Sequence, residues 1–124
     1  MNDVFLDTVG LLAVWDTADQ WHAAADAAFQ ELLKRGRRLL TTPWILLECG
    51  NAAARRPYRP RVNALRQSLA QAGLLIDPTA SEIEDAWAAF DRGEGAQAGI
   101  VDQVSFVVMR RLGISEAFTN DRHF

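Results

Sequence analysis

The closing stretch of the chain, residues 99–124, reads G-I-V-D-Q-V-S-F-V-V-M-R-R-L-G-I-S-E-A-F-T-N-D-R-H-F and leaves few folds open. Its apolar periodicity predicts a helix with Asp102 in the first turn, a stop at Gly113, and a short strand ending at Thr119, Asn120 and Asp121. The opening strand, Val4 to Thr8, also ends in a carboxylate, Asp7. Parallel α/β sheets collect the C-terminal ends of their strands at one rim, where ligands bind. Asp7, Asp102 and Asp121 are therefore expected side by side.

Between these ends, helical and extended patterns alternate. Gly10 to Trp15 reads as a short apolar helix, with Asp16 to Asp19 supplying cap chemistry for the next. In that helix Trp21, Ala24, Ala25, Ala28, Phe29, Leu32 and Leu33 form one apolar stripe closing at Gly36. Arg38 to Thr41 is a strand candidate. Thr42 and Pro43 then open a helix to about Ala54, in which Glu48 shares its stripe with Trp44, Ile45 and Ala52. Pro57 and Pro60 end one helix and start another that runs to Gly73; Leu74 to Pro78 is a further strand candidate. Thr79 and Ser81 are alternative caps for a helix with Ile83, Ala86, Trp87 and Phe90 on its apolar face. Strands alternating with helices predict an α/β fold in three layers, α/β/α, around a central parallel sheet of about four strands.

A chain of 124 residues without repeats or linkers is expected to form a single domain, 1–124. No apolar run reaches the roughly 18 residues needed to span a bilayer, and no basic segment precedes a hydrophobic one at the start, so neither anchor nor export signal is expected. Cys49, the one cysteine, excludes an internal disulfide and fits a reducing cytoplasm. With a net charge of −3, any polyanion must be held by a local basic patch or by bound cations.

Asp7, Glu48, Asp102 and Asp121 are thus the candidate site. Singly, each has a structural role at a helix start or turn. Together, carboxylates about 4 Å apart repel by roughly 4 kcal/mol at an effective dielectric near 20. Such a group either holds protons or needs a cation, and Mg²⁺ prefers oxygen ligands.

Three segments, V-F-L-D-T, T-P-W-I-L-L-E-C and the closing V-D-Q-V-S-F-V-V-M-R-R-L-G-I-S-E-A-F-T-N-D-R-H-F, resemble the PIN-domain family, in particular the VapC-type toxin ribonucleases. The resemblance spans nearly the whole chain. It implies a PIN-like fold and a metal-dependent endoribonuclease with Asp7, Glu48, Asp102 and Asp121 as catalytic acids. It further implies one or two Mg²⁺ or Mn²⁺ ions on Asp7, Asp102 and Asp121, with Glu48 orienting the attacking water, Thr8 and Thr119 supporting the carboxylates, and 5′-phosphate and 3′-hydroxyl products. As partners it implies an RNA substrate, a second copy in a homodimer, and a cognate antitoxin of a type II toxin–antitoxin pair, in the cytoplasm. The chain departs from the family pattern at Gly99, where serine or threonine is common, at Val9, and in stopping at Phe124.

Five of the thirteen basic residues lie from Arg55 to Arg66; Arg55, Arg56 and Arg59 are candidate RNA contacts, against the alternative of a solvated helix face. His22 and His123 look too isolated for a zinc site, and the four tryptophans sit at core spacings. No phosphate-binding loop, dinucleotide turn or D-x-D motif is present. The competing functions are a PIN nuclease of RNA processing or DNA outside toxin–antitoxin pairs, and a catalytically weak PIN-like binding module.

Overall fold

A computed structural model describes residues 2–121 and 123–124. Strand β1 (Asp3–Leu6) runs through the centre of a parallel sheet of order β2-β1-β3, with β2 (Arg38–Leu40) on one side and β3 (Ala117–Phe118) on the other. Val4 lies opposite Leu39, and Phe5 opposite Ala117. Val4, Phe5 and Leu6 are all buried. Successive strand residues point to opposite faces, so both faces of the sheet are covered, as the three-layer reading requires.

The sheet is narrower than the four strands expected. Leu74 to Ile76 makes only one parallel bridge, Thr41 to Leu75, through Thr41 N–H to the Leu74 carbonyl and Ile76 N–H to the Thr41 carbonyl. Proline explains the truncation: Pro43 sends the chain into a helix directly after Thr42, and Pro78 removes a donor just past Ile76.

Seven helices surround the sheet among the described residues: α1 (Thr8–Trp15), α2 (His22–Lys34), α3 (Pro43–Ala53), α4 (Arg59–Ala72), α5 (Ala80–Asp91), the short α6 (Glu94–Gln97) and α7 (Ile100–Leu112). Helices α1 and α2, α3 and α4, and α5 and α7 pack in pairs. None of these helices is long and apolar enough to cross a membrane. Thr42 caps α3 by accepting from Ile45 N–H, and Thr79, not Ser81, caps α5 in a reciprocal capping box with Glu82. Glu82 also accepts from Arg111 Nε at 2.7 Å, which ties α5 to α7. Burial alone would raise the Glu82 pKa; the hydrogen bonds from Thr79 and Arg111 bring it below the usual value.

Two apolar stripes are only half used. On α2, Ala25, Phe29 and Leu32 pack on the core, while Trp21 is 48% exposed and Leu33 also faces solvent. On α5, Ala86 and Ala89 turn inward, leaving Trp87 and Phe90 exposed in an edge-to-face pair with centroids 5.6 Å apart. A stripe a hundred degrees wide predicts a face, and three short strands cover only part of it. Of the four tryptophans, Trp15 alone is fully in the core.

Two glycines set the path to the site. Gly113, at φ 67, closes α7 in the left-handed conformation and turns the chain into β3. Gly10 lets α1 pass against the end of β3: a Cβ there would lie 2.4 Å from the Phe118 carbonyl oxygen. Since that atom is backbone, Gly10→Ala is expected to cost about 2 kcal/mol by forcing α1 and β3 apart. Urea denaturation measures it; a wild-type midpoint would show that the contact yields freely.

Candidate active site

One open cavity of about 600 Å³ at the C-terminal rim of the sheet is lined by Asp7, Glu48, Asp102 and Asp121, together with Thr8, Val9, Asn51 and Ala52. Each acid arrives on a different element. Asp7 follows β1 and occupies the N-cap position of α1; Glu48 stands on α3, Asp102 in the first turn of α7, and Asp121 just past β3.

Asp7 is the most enclosed, at 1% exposure. Its Oδ2 accepts from the Thr119 hydroxyl at 2.6 Å, and the same hydroxyl oxygen accepts from Asp121 N–H at 2.9 Å, so Thr119 fixes two of the acids relative to each other. Burial raises the Asp7 pKa, with a smaller contribution from the Asp121 charge; the Thr119 hydroxyl and the N–H dipoles of Thr8 and Val9 oppose it. Asp102 is pushed up to about 6, by burial first and then by the charges of Asp7, Asp121 and Glu48. Glu48 does not lie among apolar neighbours as its stripe suggested. It is exposed at the cavity mouth and accepts from the Thr8 hydroxyl at 2.5 Å. Behind it, burial and the Glu48 and Asp7 charges push the Cys49 thiol to about 12, so it stays protonated.

His123, set aside on sequence spacing, belongs to this site. Its N–H and Nδ1 both reach Asp121 Oδ1, at 2.9 and 2.7 Å. Asp102, Asp121 and His123 each offer a ligand atom within 4.8 Å of the others. Asp7 and Glu48 line the same cavity outside that compact trio. The signal in the sequence was the D-x-H spacing, which lets a carboxylate accept from the main chain two residues on and swing the imidazole beside it. Arg55, Arg56 and Arg59 are exposed and none lines the acidic cavity; Arg59 lines a neighbouring one.

The donors are carboxylate oxygens and one imidazole, without a thiolate, a set that fits a hard divalent ion. Fold and cavity together define an α/β domain that concentrates negative charge at the mouth of its sheet. The chain belongs to the PIN domain family, whose pattern it matches over residues 4–124. Among curated proteins, the 23S rRNA-specific endonuclease VapC20 of Mycobacterium tuberculosis, from strains CDC 1551 and H37Rv, is 29% identical, the match covering 98% of this chain and 91% of that protein. The crystal structure of Mycobacterium tuberculosis VapC20, described as a sarcin-ricin loop cleaving toxin, superposes with a TM-score of 0.79 at 26% identity, covering 96% of this chain and 90% of that one.

Proposed function

We propose that this chain is a Mg²⁺- or Mn²⁺-dependent endoribonuclease, the toxin of a type II toxin–antitoxin pair, acting in the cytoplasm as a homodimer held in check by a cognate antitoxin. The observation that carries the reading is the convergence of four carboxylates from four elements on one open cavity. The likeness to a 23S rRNA-specific endonuclease supports structured ribosomal RNA as the first substrate class to test.

Asp7, Asp102 and Asp121 would hold the ion, with His123 beside Asp121 as an additional donor or as the group that aims it. When bound, the ion supplies charge neutralisation for the phosphodiester and lowers the pKa of the attacking water. The protein contributes preorganisation. Thr119 holds Asp7 and the Asp121 backbone in one hydrogen-bonded unit, so neither acid must be reoriented when substrate arrives. Glu48, exposed at the mouth and steadied by Thr8, would orient the water and accept its proton, a role that the Thr8 hydrogen bond supports. Hydrolysis in this arrangement leaves a 5′-phosphate and a 3′-hydroxyl.

Purified protein incubated with ribosomal RNA and a pool of structured RNAs is expected to cut in Mg²⁺ or Mn²⁺ and not in EDTA. Intact RNA in all conditions, from folded protein, would remove the nuclease reading.

A further inference from the structure

Helix α3 is a wall between two cavities. Glu48, Asn51 and Ala52 face the acidic one. At 100° per residue, Leu46, Leu47 and Gly50 occupy the flank beyond, and they line a second cavity of about 390 Å³ between α3 and α4. Its floor is aliphatic, from Leu46, Leu47 and Val62, and its rim carries Arg59 and Arg66. Leu47, one turn from Asn51, lines this cavity and is 68% exposed, open to an incoming group.

The charge on this side is unspent. Arg35, Arg37, Arg38, Arg92 and Arg111 are each in an ion pair, whereas among the described residues Arg59 and Arg66, which line this cavity, are in none. Arg66 donates Nε to Asn63, which steadies its stem and leaves the rest of the guanidinium to the solvent. A chain of net charge −3 thus keeps two guanidiniums, Arg59 and Arg66, outside any ion pair at the rim of a cavity that shares helix α3 with the acidic one.

From this geometry we infer that the α3–α4 cavity is a subsite for an unpaired nucleotide adjoining the scissile phosphate: its base lies on Leu46, Leu47 and Val62, and Arg59 and Arg66 hold the flanking phosphates. The inference rests on the ribonuclease reading and deepens it. A base can enter such a pocket only from a loop, bulge or end, where it is not paired. The subsite would therefore select unpaired positions within folded RNA, and the guanidiniums would set register along the strand. A protein partner would match the aliphatic floor equally well, and the unpaired arginines distinguish the two because they complement phosphate.

Gly50 permits a clean test. A Cβ there meets nothing within 4 Å, so Gly50→Leu fills the cavity while raising helix propensity in α3. Binding is followed by fluorescence anisotropy of a short mixed-sequence single-stranded RNA in EDTA, so that no strand is cut. Gly50→Leu is expected to weaken binding about fivefold or more, the order of one lost base contact. Arg59→Gln with Arg66→Gln should flatten the salt dependence by about 1.4 in slope, for two single-strand phosphate contacts. With Mg²⁺, Gly50→Leu should raise KM and alter the cleavage pattern, with kcat preserved. If the wild type cuts RNA and the folded Gly50→Leu protein binds and cuts as it does, the subsite is wrong and the nuclease stands. If binding falls in the variants but no RNA is cut in any metal, the cavity is an RNA-binding pocket, and the nuclease reading fails together with the pocket's place beside a scissile phosphate. If Gly50→Leu converts a dimer to monomer in sedimentation with RNA affinity unchanged, the cavity is a protein interface and the inference is overturned.

Discussion

Asp102→Asn is expected to lower RNA cleavage in Mg²⁺ about a thousandfold or more, with the fold intact. Asp102 lies in the first turn of α7 and lines the acidic cavity beside Asp7 and Asp121. Its carboxylate oxygen belongs to the trio with Asp121 and His123. An amide keeps the shape and removes the charge, so the site loses affinity for a divalent ion and with it several kcal/mol of transition-state stabilisation. At about 1.4 kcal/mol per factor of ten, three such factors are the expected scale. The same substitution separates a catalytic role from a structural one. A purely structural carboxylate would lose stability when replaced, whereas the Asp102 charge is disfavoured by burial first and then by Asp7, Asp121 and Glu48, so its removal should add stability. Cleavage assays on ribosomal RNA, paired with thermal melts in EDTA, read both. Retained cleavage would remove Asp102 from the site, and with it the case for a shared cation.

The acids were readable in the sequence because each stands where chain geometry leaves little freedom. Asp7 ends a strand with three buried residues, Asp102 opens an apolar helix, and Asp121 follows the last strand, so a parallel sheet had to bring them to one rim. Glu48 was readable as an anomaly, a carboxylate on an apolar stripe of α3, and the structure turns it to the cavity mouth, where Thr8 reaches it. His123 was missed because its role depends on a two-residue turn that folds the imidazole back onto Asp121, a local hydrogen-bond choice without periodicity. The fourth strand was overcounted for a related reason. Leu74, Leu75 and Ile76 have strand chemistry, yet pairing length is set by both partners, and Pro43 ends the neighbouring strand's reach after Thr41. Trp87 and Phe90 show the limit of pattern reading most directly: helical spacing places them on one face, but a sheet of three short strands does not extend far enough to cover it.

Metal-free protein is expected to melt several degrees higher at pH 5 than at pH 7.5, the reverse of a carboxylate that folding stabilises in its charged form. The sign follows from the direction of each shift. Asp102 binds its proton up to about pH 6 when folded, but only up to about 3.8 when unfolded, so within that window the folded state holds more protons and stability falls as pH rises. Asp7, also raised, acts in the same direction. Glu82, lowered, acts oppositely: its contribution is present above the unfolded value of 4.5 and is lost as pH falls through its folded pKa, so it is largely retained at pH 5. Discounted for the screening of a partly exposed carboxylate, the Asp102 effect amounts to about 1 kcal/mol, or about 4 °C in a domain of this size. Asp102→Asn should abolish most of this difference by raising the pH 7.5 melt toward the pH 5 value. Saturating Mg²⁺ or Mn²⁺ should reverse the difference in the wild type, since an ion at about a hundred times its Kd stabilises the folded state by about 2.7 kcal/mol. It should do so at pH 7.5 and only weakly at pH 5, where protons occupy the same oxygens. A melting temperature that is flat from pH 5 to 7.5 and indifferent to divalent ions would mean that the four carboxylates do not share one field, and the cavity would then be an acidic surface without a cation to organise it.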